Sequence, residues 1–464
     1  MAASNEQRPP HIVILPSAGI GHLIPFCRLA VALSDNGCDV SFVSFQPTVS
    51  SAESHLVAHL FATFPRIHPL EFHLPAHVSS SFGPVDPFFV HFEAIRQSAN
   101  LVVPLLGSSS PPISALIIDI SLASTYLPVA VGLGLKSYIF FTSSATMLSL
   151  CAYFPVYQDT KTTAGIGDID IPGLQRLPKA WIIPALHNPD HLFTTQFVGN
   201  GRALLQASGI LVNSFGTLEP KTFTALNGGE VLPGLPVVIP VGPLLQPLGY
   251  ICQSGSLLPW LDEQPRRSVV YVCFGSRTAM SKDQIKELGY GLEASGCRFL
   301  WVVKTSVVDK EEEDKGDNLD VLLGDEFVER VKGRGLVVKE WVEQEQVLRH
   351  GSIGGFISHC GWNSVTEAAF YGVPVLAWPR GGDQRVNAEV VARSGLGIWM
   401  EKWSWLSEEE VVRGEEISRG VRKLMEDEEL RSSARRVREE ALTAVAVGGN
   451  SYEGLSGLMA KSTV

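Results

Sequence analysis

Residues 354–379, GGFISHCGWNSVTEAAFYGVPVLAWP, decide how the second half of this chain folds. GGFISH is a short apolar run of strand type, CGWNS holds the polar residues of a turn, and VTEAAFYG has helical spacing that stops at Gly372. VPVLAWP is apolar again. Strand, helix and strand in this order form the βαβ unit of a parallel sheet buried on both faces. Ser364 and Glu367 have the spacing of a capping box at the helix start. The same helix start, next to a glycine turn, can also hold an anion, because its unsatisfied N–H groups and the positive end of its dipole point outward.

The alternation continues on both sides. SVVYVCFGS (268–276), RFLWVV (298–303) and GLVVKEW (335–341) read as further strands of the second half, with the amphipathic helix SKDQIKELGYGLEASG between the first two. In the first half, HIVILP (11–16) ends in SAGIG and passes into HLIPFCRLAVALSDNG at helical spacing. DVSFVSF, ISALIIDI (113–120), KSYIFFTSS (136–144) and SGILVNSF (208–215) follow as strands. The Pro- and Gly-rich passage 231–256 carries no periodicity and reads as an interdomain linker, and the charged run 307–320 reads as a solvated loop. From Ser407 onward acidic and basic residues alternate at the spacing of surface helices.

A length of 464 residues implies two domains. With 45% hydrophobic and 18% charged residues, the chain is globular and able to bury large sheets. The net charge of −11 argues against nucleic acid and anionic membranes as partners. The seven cysteines are scattered without a C-x-x-C pair, which argues against a disulfide framework and a zinc site. MAASNEQRPP lacks the features of a signal peptide, and Asp119, Ser121, Thr125 and Lys136 interrupt the longest apolar region, so no membrane insertion and a cytoplasmic location are expected.

In an open parallel sheet the ligand lies beyond the carboxyl ends of the strands. That edge receives His359, which with Asn363 and Ser364 could bind a phosphate. Asp383 and Gln384 follow VPVLAWP and offer groups for vicinal sugar hydroxyls, or form an ordinary surface turn. Trp341 could stack on a base whose edge Gln344 reads, or simply pack in the core.

Residues 341–384, WVEQEQVLRHGSIGGFISHCGWNSVTEAAFYGVPVLAWPRGGDQ, resemble over their whole length the signature box of the plant family 1 UDP-dependent glycosyltransferases. SAGIGH, VNSFGTLEP, VGPL and WLDEQPRRSVVYVCFGS extend the resemblance over nearly the entire chain. It implies an α/β fold of the GT-B type, two Rossmann-like domains facing each other across a cleft: 1–245 for the acceptor, 246–440 for the UDP-sugar, and a helical tail, 441–464, packing back on the first domain. Carried over by position, Trp341 would stack on uracil, Gln344 would contact the nucleoside and Glu367 the ribose hydroxyls. His359, Asn363 and Ser364 would take the diphosphate with Ser276; Trp362, Asp383 and Gln384 would take the sugar, with Gly21 and Gly361 also in the donor site. Glu343 stands where many members have proline. A terminal Gln384 goes with glucose. The resemblance further implies UDP-glucose as donor co-substrate, no metal and no other cofactor, and a monomer.

Transfer to a phenol or an activated ring carbon needs a base. His22 follows Gly19 and Gly21 at a helix start, where the dipole favours the neutral imidazole. Asp119 ends ISALIID and, in a parallel sheet, emerges on the same edge, placed to orient the imidazole. Taken alone, His22 could be a capping or core histidine and Asp119 a turn former; the family has its His and Asp at these places. GIG at 19–21 lacks the third glycine of a dinucleotide fingerprint, which leaves a nicotinamide oxidoreductase as a weaker reading. DID at 168–170 lacks companion ligands for a metal.

SAGIGHLIPF, QPTVSSAES, VDPFFVHFEAIRQS, YIFFTSSA and LGIWMEKWSW are similar to a narrower group, the plant C-glucosyltransferases of 2-hydroxyflavanones, dihydrochalcones and related acyl-phloroglucinols. This implies an aromatic polyphenol acceptor near Asp86, Phe88, Thr142 and Ser143. An O-glucosyltransferase and a non-catalytic UDP-sugar-binding protein are the alternatives.

Overall fold

A computed structural model describes residues 8–75, 87–161, 165–246, 248, 257–275, 280–304, 319–324, 326–339, 342–403 and 410–462. The chain divides into two compact units, Met1–Tyr250 with Thr443–Val464, and Ile251–Leu442. Each is a parallel sheet flanked by helices, the Rossmann-like layout expected of each domain.

The first unit holds β1 (His11–Leu15), β2 (Asp39–Gln46), β3 (Ile67–His73), β4 (Ala115–Asp119), β5 (Ser137–Phe141), β6 (Gly209–Val212) and β7 (Val238–Pro240). They are ordered β3-β2-β1-β4-β5-β6-β7, and every pairing is parallel. β1, β4 and β5 are buried along their whole length, which is why they read as unbroken apolar runs. Helix Ile20–Asp35 covers one face with Phe26, Leu29 and Leu33, and Leu455 and Leu458 of helix Asn450–Ser462 join the same cluster. Each such side chain contributes about 1.5–3 kcal/mol on burial.

The second unit holds β8 (Val269–Cys273), β9 (Arg298–Val302), β10 (Gly335–Val338), β11 (Ile353–Ser358), β12 (Val375–Ala377) and β13 (Gly397–Trp399), ordered β10-β9-β8-β11-β12-β13. Its core joins Val270, Trp301 and Ile357 to Leu288 and Leu292 of helix Lys282–Ser295 and to Ile417, Val421 and Leu424 of helix Gly414–Glu426.

Two expectations need correction. The passage 231–256 is not all linker: Val238–Pro240 is β7, which pairs with β6 and is bracketed by Asn227, whose carboxamide donates to Val238 O at 2.9 Å and accepts Val238 N–H at 2.8 Å. The helix of the opening stretch is Trp362–Tyr371, capped by Gly361, so Ser364 lies inside its first turn and cannot be the N-cap of a capping box. Gly372 ends it in the left-handed conformation (φ 68°). The helices after Ser407 are mostly surface on one side and lend Ile417, Val421 and Leu424 to the core on the other. Residues 307–318 of the charged run 307–320 lie outside those described, and only its last two residues are seen, at the start of helix Leu319–Leu323. Among the described residues no helix is long and apolar enough to cross a membrane.

Candidate active site

Both sheets reverse their strand order once, at β1/β4 and at β8/β11. Such a reversal opens a crevice at the carboxyl ends of the two strands, because the helices that follow them diverge to opposite faces. The candidate residues gather at these two points.

In the first unit, the chain leaving β1 reaches Gly19, whose φ of 101° suits only glycine, and helix Ile20–Asp35 begins. His22 N–H donates to Gly19 O at 2.9 Å, and the buried Glu53 carboxylate accepts Gly19 N–H at 2.7 Å, which fixes the turn. Leu15 pairs with Ile118 across β1 and β4, so Asp119 leaves the sheet beside His22. His22 Nδ1 donates to Asp119 Oδ2 at 2.7 Å; the carboxylate is fully buried and the imidazole is 36% exposed. A carboxylate can only accept, so the proton sits on Nδ1 and the lone pair on Nε2. Burial by itself would raise the Asp119 carboxyl, but the His22 imidazole and Ser121, whose N–H and hydroxyl donate to Oδ1 at 2.8 and 2.6 Å, together outweigh it. The net effect holds Asp119 below its ordinary range, as an anion.

Thr142, just past β5, puts Oγ1 3.3 Å from His22 Nδ1. Ser143 follows it, and Ser144 caps helix Ala145–Thr160 by accepting Met147 N–H at 3.1 Å. Glu219, in VNSFGTLEP, accepts Ala145 N–H and Thr146 N–H at 3.0 and 2.8 Å and anchors that helix start. Gly21 lies in the first helical turn, exposed, with nothing within 4 Å of where a Cβ would sit. Asp86 lies outside the described residues; Phe88 falls in helix Pro87–Gln97, its side chain undescribed.

In the second unit, Cys273 of β8 pairs with Ser358 of β11, and the chain beyond them brings Gly275 and His359 together. A Cβ on Gly275 or Gly361 would lie 2.6 or 2.5 Å from His359 Nε2, so the two glycines keep that edge of the ring uncovered. His359 Nδ1 is sealed and has no hydrogen-bond partner among the described residues. Burial lowers the imidazole to about 4, which leaves it neutral near pH 7. Cys360 has a positive φ of 64°, and its carbonyl accepts from Asn387 Nδ2 at 3.1 Å. The same Nδ2 donates to Asp383 Oδ2 at 3.0 Å, tying the turn to the far strand end.

Helix Trp362–Tyr371 starts here with no side-chain cap. Gln344 Nε2 donates to Ser364 Oγ at 2.9 Å and to Glu367 Oε2 at 2.7 Å, bringing three candidates together. Glu367 is 5% exposed and Trp362 3%, so what Trp362 can offer a ligand is its backbone at the helix start. Asn363 sits beside it, its carbonyl accepting from Thr366 Oγ1 at 3.0 Å. Glu343 precedes helix Gln344–Arg349 and accepts from Gln346 Nε2 at 2.7 Å. Gln384 Oε1 accepts Arg380 N–H and Gly381 N–H at 2.7 and 2.9 Å, so its carbonyl end closes a turn. Ser276 and Trp341 lie outside the described residues. The DID aspartates are engaged locally: Asp170 pairs with Arg176 at 2.7 Å, and Asp168 accepts Lys179 N–H at 2.8 Å.

Ser121, Glu53, Glu219 and Asn387 were not picked out in the sequence. Only Ser121 carries a local signal, two residues after an aspartate at the spacing of an Asx turn. The others act over 27 to 74 positions of chain, which no window reveals.

Residues 252–429 match the family model for UDP-glucoronosyl and UDP-glucosyl transferase. Over 453 residues the chain is 55% identical to UDP-glycosyltransferase CGT of Oryza sativa subsp. indica, covering 97% of this chain and 95% of that one. The chain belongs to the UDP-glycosyltransferases. It is 53% identical over 455 residues to UDP-glycosyltransferase 708A6 of Zea mays, covering 96% of this chain and 95% of that one. The crystal structure of LpCGTa in complex with UDP, 47% identical, superposes with a TM-score of 0.88 over 98% of this chain and 100% of that one. This UDP-glycosyltransferase is therefore a UDP-sugar-dependent enzyme of the plant group, and the resemblance to its C-glucosyltransferase members is carried by relatives that bear the name CGT.

The glycines around His359 give a direct expectation for this UDP-glycosyltransferase. Gly361 has an ordinary φ of −56°, so Gly361→Ala strains no backbone and acts only through the collision with His359. UDP affinity, measured by calorimetry, should fall by about tenfold, roughly 1.4 kcal/mol. Unchanged affinity would remove His359 from the nucleotide site.

Proposed function

We propose that this glycosyltransferase moves glucose from UDP-glucose to a ring carbon of a phloroglucinol-type polyphenol with inversion, giving a β-C-glucoside. The observation that carries the reading is the 2.7 Å His22–Asp119 hydrogen bond at the strand reversal of the first sheet. His22 Nε2 takes a proton from a phenolic hydroxyl, and Asp119 stabilises the imidazolium that forms. The phenolate spreads its charge onto the ortho and para carbons. One of these forms a bond to the anomeric carbon as the bond from that carbon to the diphosphate breaks. UDP leaves, and loss of the ring proton to water restores aromaticity.

Carbon attack prevails over oxygen attack when the carbon is held about 3–3.5 Å from the anomeric centre, in line with the leaving group. Thr142, whose Oγ1 lies 3.3 Å from His22 Nδ1, and Ser143 after it orient the acceptor in this reading, with Asp86 and Phe88 assigned by resemblance. The donor side is the start of helix Trp362–Tyr371: its N–H groups, the neutral His359, Asn363 and Ser364 hydrogen-bond the diphosphate, and Glu367 with Gln344 holds the ribose and base. Gln384 and Asp383 take the glucose hydroxyls, and Gly21, Gly361, Trp362, Ser276 and Trp341 complete the donor contacts. No metal enters this reading, and the enzyme acts as a monomer in the cytoplasm.

The test is incubation with UDP-glucose and a small set of phloroglucinol-type and simple phenols, with linkage read by NMR. The expected product shows a direct bond from sugar carbon to ring carbon and survives heating in acid. A product that releases glucose in acid would make the enzyme an O-glucosyltransferase, and no product with any phenol would leave a UDP-sugar-binding protein.

A further inference from the structure

Behind Asp119 lies a buried polar network that the reaction described above does not use. Ser121, which holds Asp119 Oδ1 through both its N–H and its hydroxyl, offers its own carbonyl to the protein interior. Arg96 Nη1 donates to that carbonyl at 2.6 Å, and Asn200 Nδ2 donates to it at 3.1 Å. The second arm of the guanidinium, Nη2, donates to Ser124 Oγ at 2.9 Å, while Asn200 Oδ1 accepts Ser124 N–H at 3.0 Å. Arg96 is 8% exposed and Asn200 6%.

A buried guanidinium is expensive, and apolar side chains of similar volume usually serve a core as well or better. What arginine adds is a rigid planar fork that fixes two acceptors at a set separation and angle. Both acceptors here, Ser121 O and Ser124 Oγ, lie on the short turn Ile120–Leu122 and the start of helix Ala123–Gly132 that follow Asp119 directly. Arg96 itself belongs to helix Pro87–Gln97, which Tyr126 Oη also ties down by donating to Ile95 O at 2.8 Å. The carboxylate of Glu93, on the same helix, lies 3.5 Å from Arg96 Nε and accepts from Gln196 Nε2 at 2.6 Å.

We propose that Arg96 is a positioning residue of the transfer reaction: through Ser121 it sets the angle at which Asp119 meets His22, and it couples that angle to helix Pro87–Gln97. The proposal rests on the reading of His22 as the base. It says that the strength of the His22–Asp119 bond depends on a side chain that touches neither residue. It also links the helix that carries Phe88 to the catalytic pair, so the acceptor side and the base are held by one clamp.

The titratable and polar groups involved are Asp119 and the Thr142 hydroxyl against His22, and Glu93 and Tyr126 against Arg96. A well-placed carboxylate stabilises the imidazolium. Loosening Asp119 therefore makes His22 lose its proton at lower pH, and the acid limb of kcat/KM moves down the pH scale.

The experiment compares wild type, Arg96→Lys and Arg96→Met, with Asn200→Ala as a second route to the same carbonyl should Arg96→Met not fold. His22 is followed by NMR of histidine-labelled free protein, its signal assigned by its absence in His22→Ala. For Arg96→Lys, which keeps the charge but loses the fork, the expected result is a His22 titration shifted to lower pH, kcat lowered by about tenfold to a hundredfold, and UDP affinity within twofold of wild type. A lowered melting temperature with the His22 titration and kcat unmoved would reduce Arg96 to a structural residue and overturn the proposal. The NMR titration needs no acceptor, so wild type that transfers no sugar would sink the reading of function while the titration still decides the role of Arg96.

Discussion

His22→Ala lowers kcat/KM for phenolic acceptors by about 10³-fold and leaves UDP affinity where it was. A positioned general base is worth about 10²–10⁴ in rate, and a neutral phenol keeps its proton at neutral pH without one. The substitution leaves the helix start intact. Gly19, not His22, caps the helix, the backbone bond from residue 22 to Gly19 O persists, and the side chain is 36% exposed. It does leave the fully buried Asp119 with Ser121 alone to keep its carboxyl low, so part of the acid titration of stability changes too. In wild type a carboxyl held below its unfolded value stabilises the fold above that value, and the contribution is lost as the pH falls through the folded one. His22→Ala should flatten that acid loss. Calorimetry with UDP and steady-state kinetics together check the claim; turnover retained within a few-fold would remove His22 from the chemistry.

Glu367→Ala has the largest expected effect on the donor side. Its carboxylate is buried and accepts from Gln344 Nε2, which also reaches Ser364 at the start of the same helix. Hydrogen bonds to a charged group contribute about 1.5–3 kcal/mol, so losing ribose contacts to a carboxylate should weaken UDP by roughly 10- to 100-fold. Truncation also removes one of the acceptors that hold Gln344, so the nucleoside contact loosens along with the ribose contact. With UDP-sugar at saturation kcat should fall by less than the affinity does, because the contact proposed for Glu367 is to the ribose and not to the bond that breaks. Isothermal titration and a KM-against-kcat comparison distinguish this from a structural role. A lower melting temperature with unaltered UDP affinity would return Glu367 to an ordinary helix residue.

The two sheets were legible in the sequence wherever strands are central. β1, β4, β5, β8, β11 and β12 are flanked on both sides and covered on both faces, so each is a run of apolar residues between turn signals. Three strands were not: β3, β7 and β13, each at the edge of its sheet. An edge strand needs neither an apolar run nor every N–H. β3 alternates exposed and partly buried residues and contains Pro69, while β7 ends in Pro240 within a passage that composition alone marks as linker.

The sites divide in the same way. His22, Asp119, His359 and Gln344 sit at strand or helix ends, where the order of elements already tells which edge they share. The capping-box reading of Ser364 and Glu367 failed because Gly361 starts the helix three residues earlier, and this frees both side chains to meet Gln344. Glu53, Glu219, Arg96 and Asn387 could not be found by spacing. Each bridges elements distant in the chain, and only the folded register of the sheets brings them to the turns they hold.

The central claim is that the nucleotide binds at the start of helix Trp362–Tyr371, beyond β11, while the first unit supplies the base. A crystal structure grown with UDP tests it most directly. The account predicts diphosphate oxygens within about 3 Å of the Ser364 hydroxyl and the first helical N–H groups, with ribose hydroxyls on Glu367. Diphosphate density at any other helix start, with residues 359–367 left bare, would contradict it.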